Sequence, residues 1–152
     1  MNSRIDDSEL ALWSEVSKIC VGFNLRRAAR AVSRFYDSTF QNSGIRGTQF
    51  SMLVAIHTYG PLTINDLANG GVMDQTTVSR NVRCLQKQGY VEMVPGTDKR
   101  TRAVNITNKG KSVLRSAIPQ WKTAQAHMKK KLGDTGMKAL LEGLQMATNA
   151  VR

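Results

Sequence analysis

Thr76, Arg80, Arg83 and Lys87 recur at spacings of four, three and four. At about 100° per residue they share one face of a helix. Val78, Val82 and Leu85 fall on the opposite face, with Thr77 and Ser79 on the shoulders. A face made only of donors, acceptors and cations suits the floor of a DNA major groove. There Arg bonds bidentately to guanine and a Thr methyl touches thymine. The helix start enters such a groove first, so Gln75, Thr76, Thr77, Ser79 and Arg80 are placed to reach base edges. Arg83 and Lys87 are placed for phosphates. The same residues also fit a plain solvated helix face, and the next segment decides between the two.

That segment is Asp98-Lys99-Arg100-Thr101-Arg102, a charged tip between two apolar runs. A carboxylate two residues before an Arg can hold the guanidinium ready for a phosphate or a groove. A narrow minor groove concentrates negative potential and draws Arg in. Asp98, Lys99, Arg100 and Arg102 are therefore the expected contacts of a wing. A polar helix followed by a charged hairpin favours the DNA reading over the solvated one.

Other chemistry finds little support. Two His and two Cys are scattered, with no nucleophile motif, phosphate-cradling Gly loop or metal-spaced cluster. No enzyme, no cofactor and no metal site is expected. Gly70-Gly71 belongs to a turn.

These groups need elements to position them. Residues 8–41 read as one long helix, with Leu12, Val16, Ile19 and Phe23 as an apolar stripe. Ser43 to Gly47 breaks it, and a second helix runs from Thr48 to Gly60-Pro61. Thr63 to Asp66 resembles a capping box that opens a short helix ending near Asn69-Gly70-Gly71. Asp74 caps the next helix, which stops at Gly89. Two short helices around a Gly-containing turn are a helix-turn-helix signature. Tyr90 to Val94 and Arg102 to Thr107 read as strands around the turn Pro95-Gly96-Thr97-Asp98. A helix follows from Asn108 to about Lys131, with a kink or break expected at Pro119. Gly133 separates a last helix, Asp134 to Val151, whose apolar side is Leu140, Leu141, Leu144 and Ala147. The expected fold class is mainly α (α+β), a winged helix-turn-helix with long N- and C-terminal helices. The terminal helices carry more apolar surface than one small lobe can cover. A homodimer is the economical solution. Residues 46–107 would form the DNA-binding lobe, and 8–45 with 108–152 a helical dimerisation region.

The formal charge is +11, from 22 basic and 11 acidic residues, and the pI is about 10.2. This balance favours a polyanionic partner. A membrane surface is disfavoured, because the basic residues follow a winged-helix pattern and not one amphipathic helix. The longest apolar run, Phe50 to Ile56, is seven residues and contains Ser51, far from the roughly 20 of a membrane span. Asp6, Asp7 and Glu9 leave no basic-then-apolar leader, so a cytoplasmic protein is expected.

The segment DKRTRAVNITNKG resembles the wing of the MarR (multiple antibiotic resistance) transcription regulators. In that pattern Asp, any residue and Arg precede a strand, then Thr and, after it, Gly. Asp98, Arg100, Thr107 and Gly110 stand at those places. MDQTTVSRNVRCLQKQGYV and NLRRAARAVSRFYD are also similar to that family, and the resemblance spans about residues 8 to 150. It implies a homodimer on double-stranded DNA that represses transcription at two-fold promoter sites. It also implies release by a small phenolic or lipophilic effector or, in other members, response to oxidants through a cysteine.

The effector site is not legible. Cys20 lies two positions from Gly22, where oxidant-sensing relatives keep a thiol, and Tyr36 matches a tyrosine of that subgroup. Beside Ile19 and Phe23, Cys20 also reads as a small hydrophobe. Cys84 falls on the shoulder of the recognition helix, where oxidation could disturb DNA binding. Arg26, Arg27, Arg30 and Arg34 crowd one helix and could meet an anionic effector or intersubunit carboxylates. His57 could line a cleft. The alternatives left open are a non-specific architectural DNA-binding protein and an oxidant sensor acting through Cys20 or Cys84.

Overall fold

The computed structural model describes residues 6–96, 98 and 100–151. Two units divide between Phe35 and Tyr36.

The first unit contains α1 (Asp7–Ile19) and most of α2 (Val21–Thr39). The expected single helix over 8–41 is therefore two. The break is at Cys20, whose backbone is extended at φ −64° and ψ 110°. The Asn24 side-chain amide donates to the carbonyls of Lys18 and Cys20, each at 3.0 Å. The Cys20 carbonyl also accepts from the Asn24 backbone N–H at 3.0 Å, so the side chain's distinct service is to the Lys18 carbonyl, which the interrupted helix leaves without a backbone partner.

The second unit begins with the end of α2 and a single 3-10 turn, Gln41–Ser43. It continues with α3 (Gly47–Tyr59), β1 (Leu62–Thr63), α4 (Ile64–Gly71), α5 (Gln75–Lys87), β2 (Val91–Pro95), β3 (Arg102–Ile106) and α6 (Asn108–Asn149). Its core gathers Phe40, Leu53, Ile56, Val78, Leu85, Val104 and Ala117, all fully buried. Phe40 stacks on Phe50 with ring centroids 4.7 Å apart. The Tyr36 hydroxyl accepts a 2.8 Å bond from the Gln125 amide, which ties the end of α2 to α6.

The sheet is antiparallel in the order β1-β3-β2. Val91 pairs with Ile106, Met93 with Val104 and Pro95 with Arg102. Pro95 sits on an edge strand, where its missing N–H costs no ladder bond. β1 was not anticipated from the sequence. Its two residues pair Leu62 with Val104 and Thr63 with Ala103 on the other edge of β3.

α6 is interrupted at Gly133, whose φ of 69° and ψ of 171° are open essentially to glycine alone. Of the kink or break expected at Pro119, the break does not occur, and the proline stays within the helix. A proline there gives the Arg115 carbonyl no N–H partner, and Arg115 is exposed, where water can satisfy it. No described helix is long and apolar enough to cross a membrane.

The joint between the hairpin and α6 is tight. Thr107 caps α6 by accepting from the Gly110 N–H at 3.0 Å. Its hydroxyl donates back to the carbonyls of Gly89 at 2.7 Å and Tyr90 at 3.1 Å. A Cβ at position 110 would overlap the Tyr90 carbonyl oxygen. Gly110→Ala is therefore expected to destabilise the protein by about 1–3 kcal/mol, because backbone and not a side-chain tip must give way. Urea denaturation of the variant checks this.

Candidate nucleic-acid interface

α5 is held from both ends. Asp74 caps it, accepting from the Thr77 N–H at 2.8 Å and the Thr77 hydroxyl at 2.6 Å. The Gln75 amide donates to the Asn65 side-chain carbonyl at 2.6 Å, which ties the start of α5 to α4. At the other end the Tyr90 N–H reaches the Leu85 carbonyl and the Gly89 N–H reaches Gln86, each at 2.9 Å. These two bonds are the Schellman pattern. The Lys109 ammonium donates to the Gln88 carbonyl at 2.8 Å and lies 5.4 Å from the centre of the Tyr90 ring. A cation there complements the negative end of the helix dipole.

Val78, Val82 and Leu85 are buried. Gln75, Thr76, Thr77, Arg80, Arg83 and Lys87 are exposed, and Ser79 is half-buried. The outward face thus has the composition expected of it. Two of its members also have structural partners, since Gln75 bonds Asn65 and Thr77 bonds Asp74. Asn65 was not singled out from the sequence. Its only signal is a polar residue near the start of α4.

The wing is the β2–β3 hairpin. The Gly96 N–H bonds the Thr101 carbonyl at 2.9 Å, and the Thr101 N–H bonds the Asp98 carbonyl at 2.8 Å. The Asp98 carboxylate accepts from the Arg100 N–H at 3.0 Å and lies 3.7 Å from the Arg100 guanidinium. The Arg100 side chain is 92% exposed. Arg102, also exposed, donates to the Met93 carbonyl at 3.4 Å. Lys99, expected at the tip, lies outside the described residues. Among the described residues, Asp98 is the only carboxylate paired with a cation of α5 or the wing.

The other candidate residues are dispersed. Cys20 is half-buried at the α1–α2 junction. Cys84 is exposed on α5 and accepts a 3.6 Å contact from the Gln49 amide. Arg26, Arg27, Arg30 and Arg34 are exposed along α2, and His57 is exposed on α3. No group of His, Cys, Asp or Glu among the described residues could hold a metal ion.

A helix-turn-helix with an adjoining wing defines the winged-helix class, and the comparisons place the chain within it. Residues 43–101 match the model of the MarR family. The chain is 30% identical to the M. tuberculosis transcriptional regulator MosR. It aligns to that crystal structure with a TM-score of 0.75 over 88% of this chain and 98% of that one. A structure of MosR in complex with DNA gives 31% identity and a TM-score of 0.74 at the same coverage. An uncharacterized HTH-type transcriptional regulator of Bacillus cereus is 36% identical over 72 residues, or 47% of this chain and 48% of the relative. The chain spans about half the length of the first curated relatives it matches. It belongs to the MarR family. The relatives are described as transcriptional regulators, not as enzymes.

The two aspartates that cap α4 and α5 set a pH dependence. The Thr77 hydroxyl, then the Thr77 N–H, holds the Asp74 carboxyl below the usual range. The Thr63 hydroxyl and N–H do the same for Asp66. A carboxyl depressed on folding stabilises the protein above its unfolded pKa, about 3.9 for Asp. That contribution is lost as pH falls through the lower, folded value. The urea midpoint is expected to drop between about pH 5 and pH 2.5, and to drop less steeply in an Asp66→Asn, Asp74→Asn double variant. Parallel profiles would remove these caps from the acid response.

Proposed function

We propose that this protein is a cytoplasmic, dimeric, sequence-specific DNA-binding repressor of transcription, released from promoter DNA by a small phenolic or lipophilic effector. The observation that carries the reading is the α5 surface. Its apolar stripe is consumed by the core, which leaves Thr76, Arg80, Arg83 and Lys87 outward. The wing adds Arg100 beside Asp98, and a net charge of +11 supplies long-range attraction. The similarity to MosR, of which a DNA complex is known, supports the same partner here.

A second copy is supported by apolar residues that each unit leaves exposed. In the first unit Leu12, Trp13 and Ile19 are 53%, 56% and 70% exposed. In the second, Leu141 and Met146 near the end of α6 are likewise open. The segments 8–45 and 108–152 are assigned to dimerisation on this basis, and 46–107 to DNA. Leu12→Glu with Trp13→Glu is expected to convert a dimer to a monomer in light scattering. A wild-type monomer at the same concentration would sink the dimer assignment.

Selection of random duplex DNA by the purified protein at physiological salt tests specificity. A two-fold symmetric motif is expected, with half-sites about 10–10.5 base pairs apart. Retained binding without a motif would favour an architectural protein. Arg80→Ala should weaken the selected site by ~1–3 kcal/mol and relax base preference, whereas Arg100→Ala should weaken binding through groove and backbone contacts. Wild-type affinity of Arg80→Ala for selected and random DNA alike would remove α5 from the account.

A further inference from the structure

Asn65 lies in the first turn of α4, and Gln75 is the first residue of α5. Both are exposed, yet their side chains meet, with the Gln75 Nε2 donating to the Asn65 Oδ1 at 2.6 Å. A bond between exposed polar side chains adds little stability, because water offers each partner a substitute. Its consequence lies in orientation. A Gln amide turned over about its last torsion exchanges oxygen for nitrogen at little steric cost. Bonded to Asn65 in this sense, Gln75 is held in one of the two arrangements. Asp74, its neighbour in the chain, is engaged by the Thr77 N–H and hydroxyl. The partner that orients Gln75 therefore comes from α4, across the joint of the helix-turn-helix.

Gln75 retains Oε1 and its second N–H, an acceptor and a donor side by side. In the major groove, adenine presents the matching pair on a single base, with N6–H as donor and N7 as acceptor. Guanine presents two acceptors, thymine an acceptor and a methyl group, and cytosine a lone donor. Against guanine, Oε1 would face another oxygen or N7 with no proton between them. Sense matters as much as composition. Phosphate contacts fix the register of a protein on its duplex, so a reversed amide would set its oxygen toward N7. A side chain held in the productive sense before binding also avoids the cost of ordering it there.

We propose that Asn65 is a positioning residue for base recognition, which holds the Gln75 amide in the sense that reads adenine at one position of the bound site. The inference rests on the reading of α5 as the DNA-contacting helix, and deepens it by naming a base and the residue outside α5 that enforces the choice.

The test titrates the full chain by fluorescence anisotropy at physiological salt. The duplexes are the one obtained by selection and its derivatives carrying each other base pair at every position. Gln75→Ala locates the contact. The position whose preference it erases is expected to be adenine, favoured about tenfold or more by the wild type. Asn65→Ala should cut that preference to about threefold or less, without lowering the urea midpoint and without touching the position that Arg80→Ala relaxes. Asn65→Asp can only accept, so it permits only the observed sense. It should restore the adenine preference while its charge weakens all duplexes alike. A wild-type preference in Asn65→Ala overturns the inference, as does equal flattening at every position, which would mark a structural role. Loss of the preference in Asn65→Asp, or another base at the Gln75 position, overturns it too. A wild type that prefers no base overturns the reading of α5 and this inference together, whereas a clear motif indifferent to Asn65→Ala overturns this inference alone.

Discussion

The burial of Val78, Val82 and Leu85 governs which way α5 faces. Each such side chain contributes roughly 1.5–3 kcal/mol when removed from water. The helix needs that contribution, because Thr76, Thr77, Val78, Ser79, Asn81 and Val82 are weaker helix formers than Ala, Leu or Arg. Local propensity alone would not hold QTTVSRNVRCLQK in this form. Packing holds it, and packing accepts only one rotation. Turning α5 by one residue would bury Ser79 and Arg83 in place of Val78 and Val82 and leave their polar groups without partners. The outward set of donors and cations is thus a consequence of the inward set of hydrocarbons.

The wing is fastened to the same core. Val91, Val104 and Ile106 are buried, and the Thr107 hydroxyl links the end of α5, the start of β2 and the cap of α6. The ladder ends at the Pro95–Arg102 pair, and Asp98 and Arg100 lie beyond it. The Asp98–Arg100 pair at the tip is too exposed to stabilise the fold appreciably. Its worth is geometric, since the carboxylate binds both the backbone N–H and the guanidinium region of Arg100. One residue thus shapes the turn and aims the cation.

Most of the elements were legible because their boundaries are chemical. The Thr63–Asp66 box, the Asp74 cap, the Gly89 stop and the Gly133 interruption all depend on residue types with few substitutes. The outward face of α5 was legible from period alone. What escaped was set by partners distant or unmarked in sequence. The break at Cys20 depends on Asn24 reaching back to two carbonyls, with no proline at the junction to announce it. β1 exists because β3 offers a second edge, and two residues carry no periodicity. Pro119 signalled a kink or break, yet the helix continues through it between the buried Ala117 and Ala124. The bonds of Gln75 to Asn65 and of Gln49 to Cys84 and Gln88 join side chains whose proximity only the fold creates.

The turn between α4 and α5 is where local preference and global geometry disagree. Gly70 and Gly71 precede it, yet the left-handed position falls on Val72. A glycine there would make the turn intrinsically stable and indifferent to its surroundings. With valine, the conformation costs about 1–3 kcal/mol and persists only while neighbouring contacts insist on it. Those contacts include the Val72 N–H on the carbonyls of Ala68 and Asn69, the Met73 N–H on Ala68 and the Gln75 amide on Asn65. The relation of α4 to α5 is therefore set by these bonds and by Leu67, Ala68 and Val78 in the shared core, and not by the turn itself. The same constraint that fixes the rotation of α5 leaves its starting point adjustable. A stripe of three buried side chains resists turning of the helix far more than it resists a small shift of the first turn, which lies before Val78.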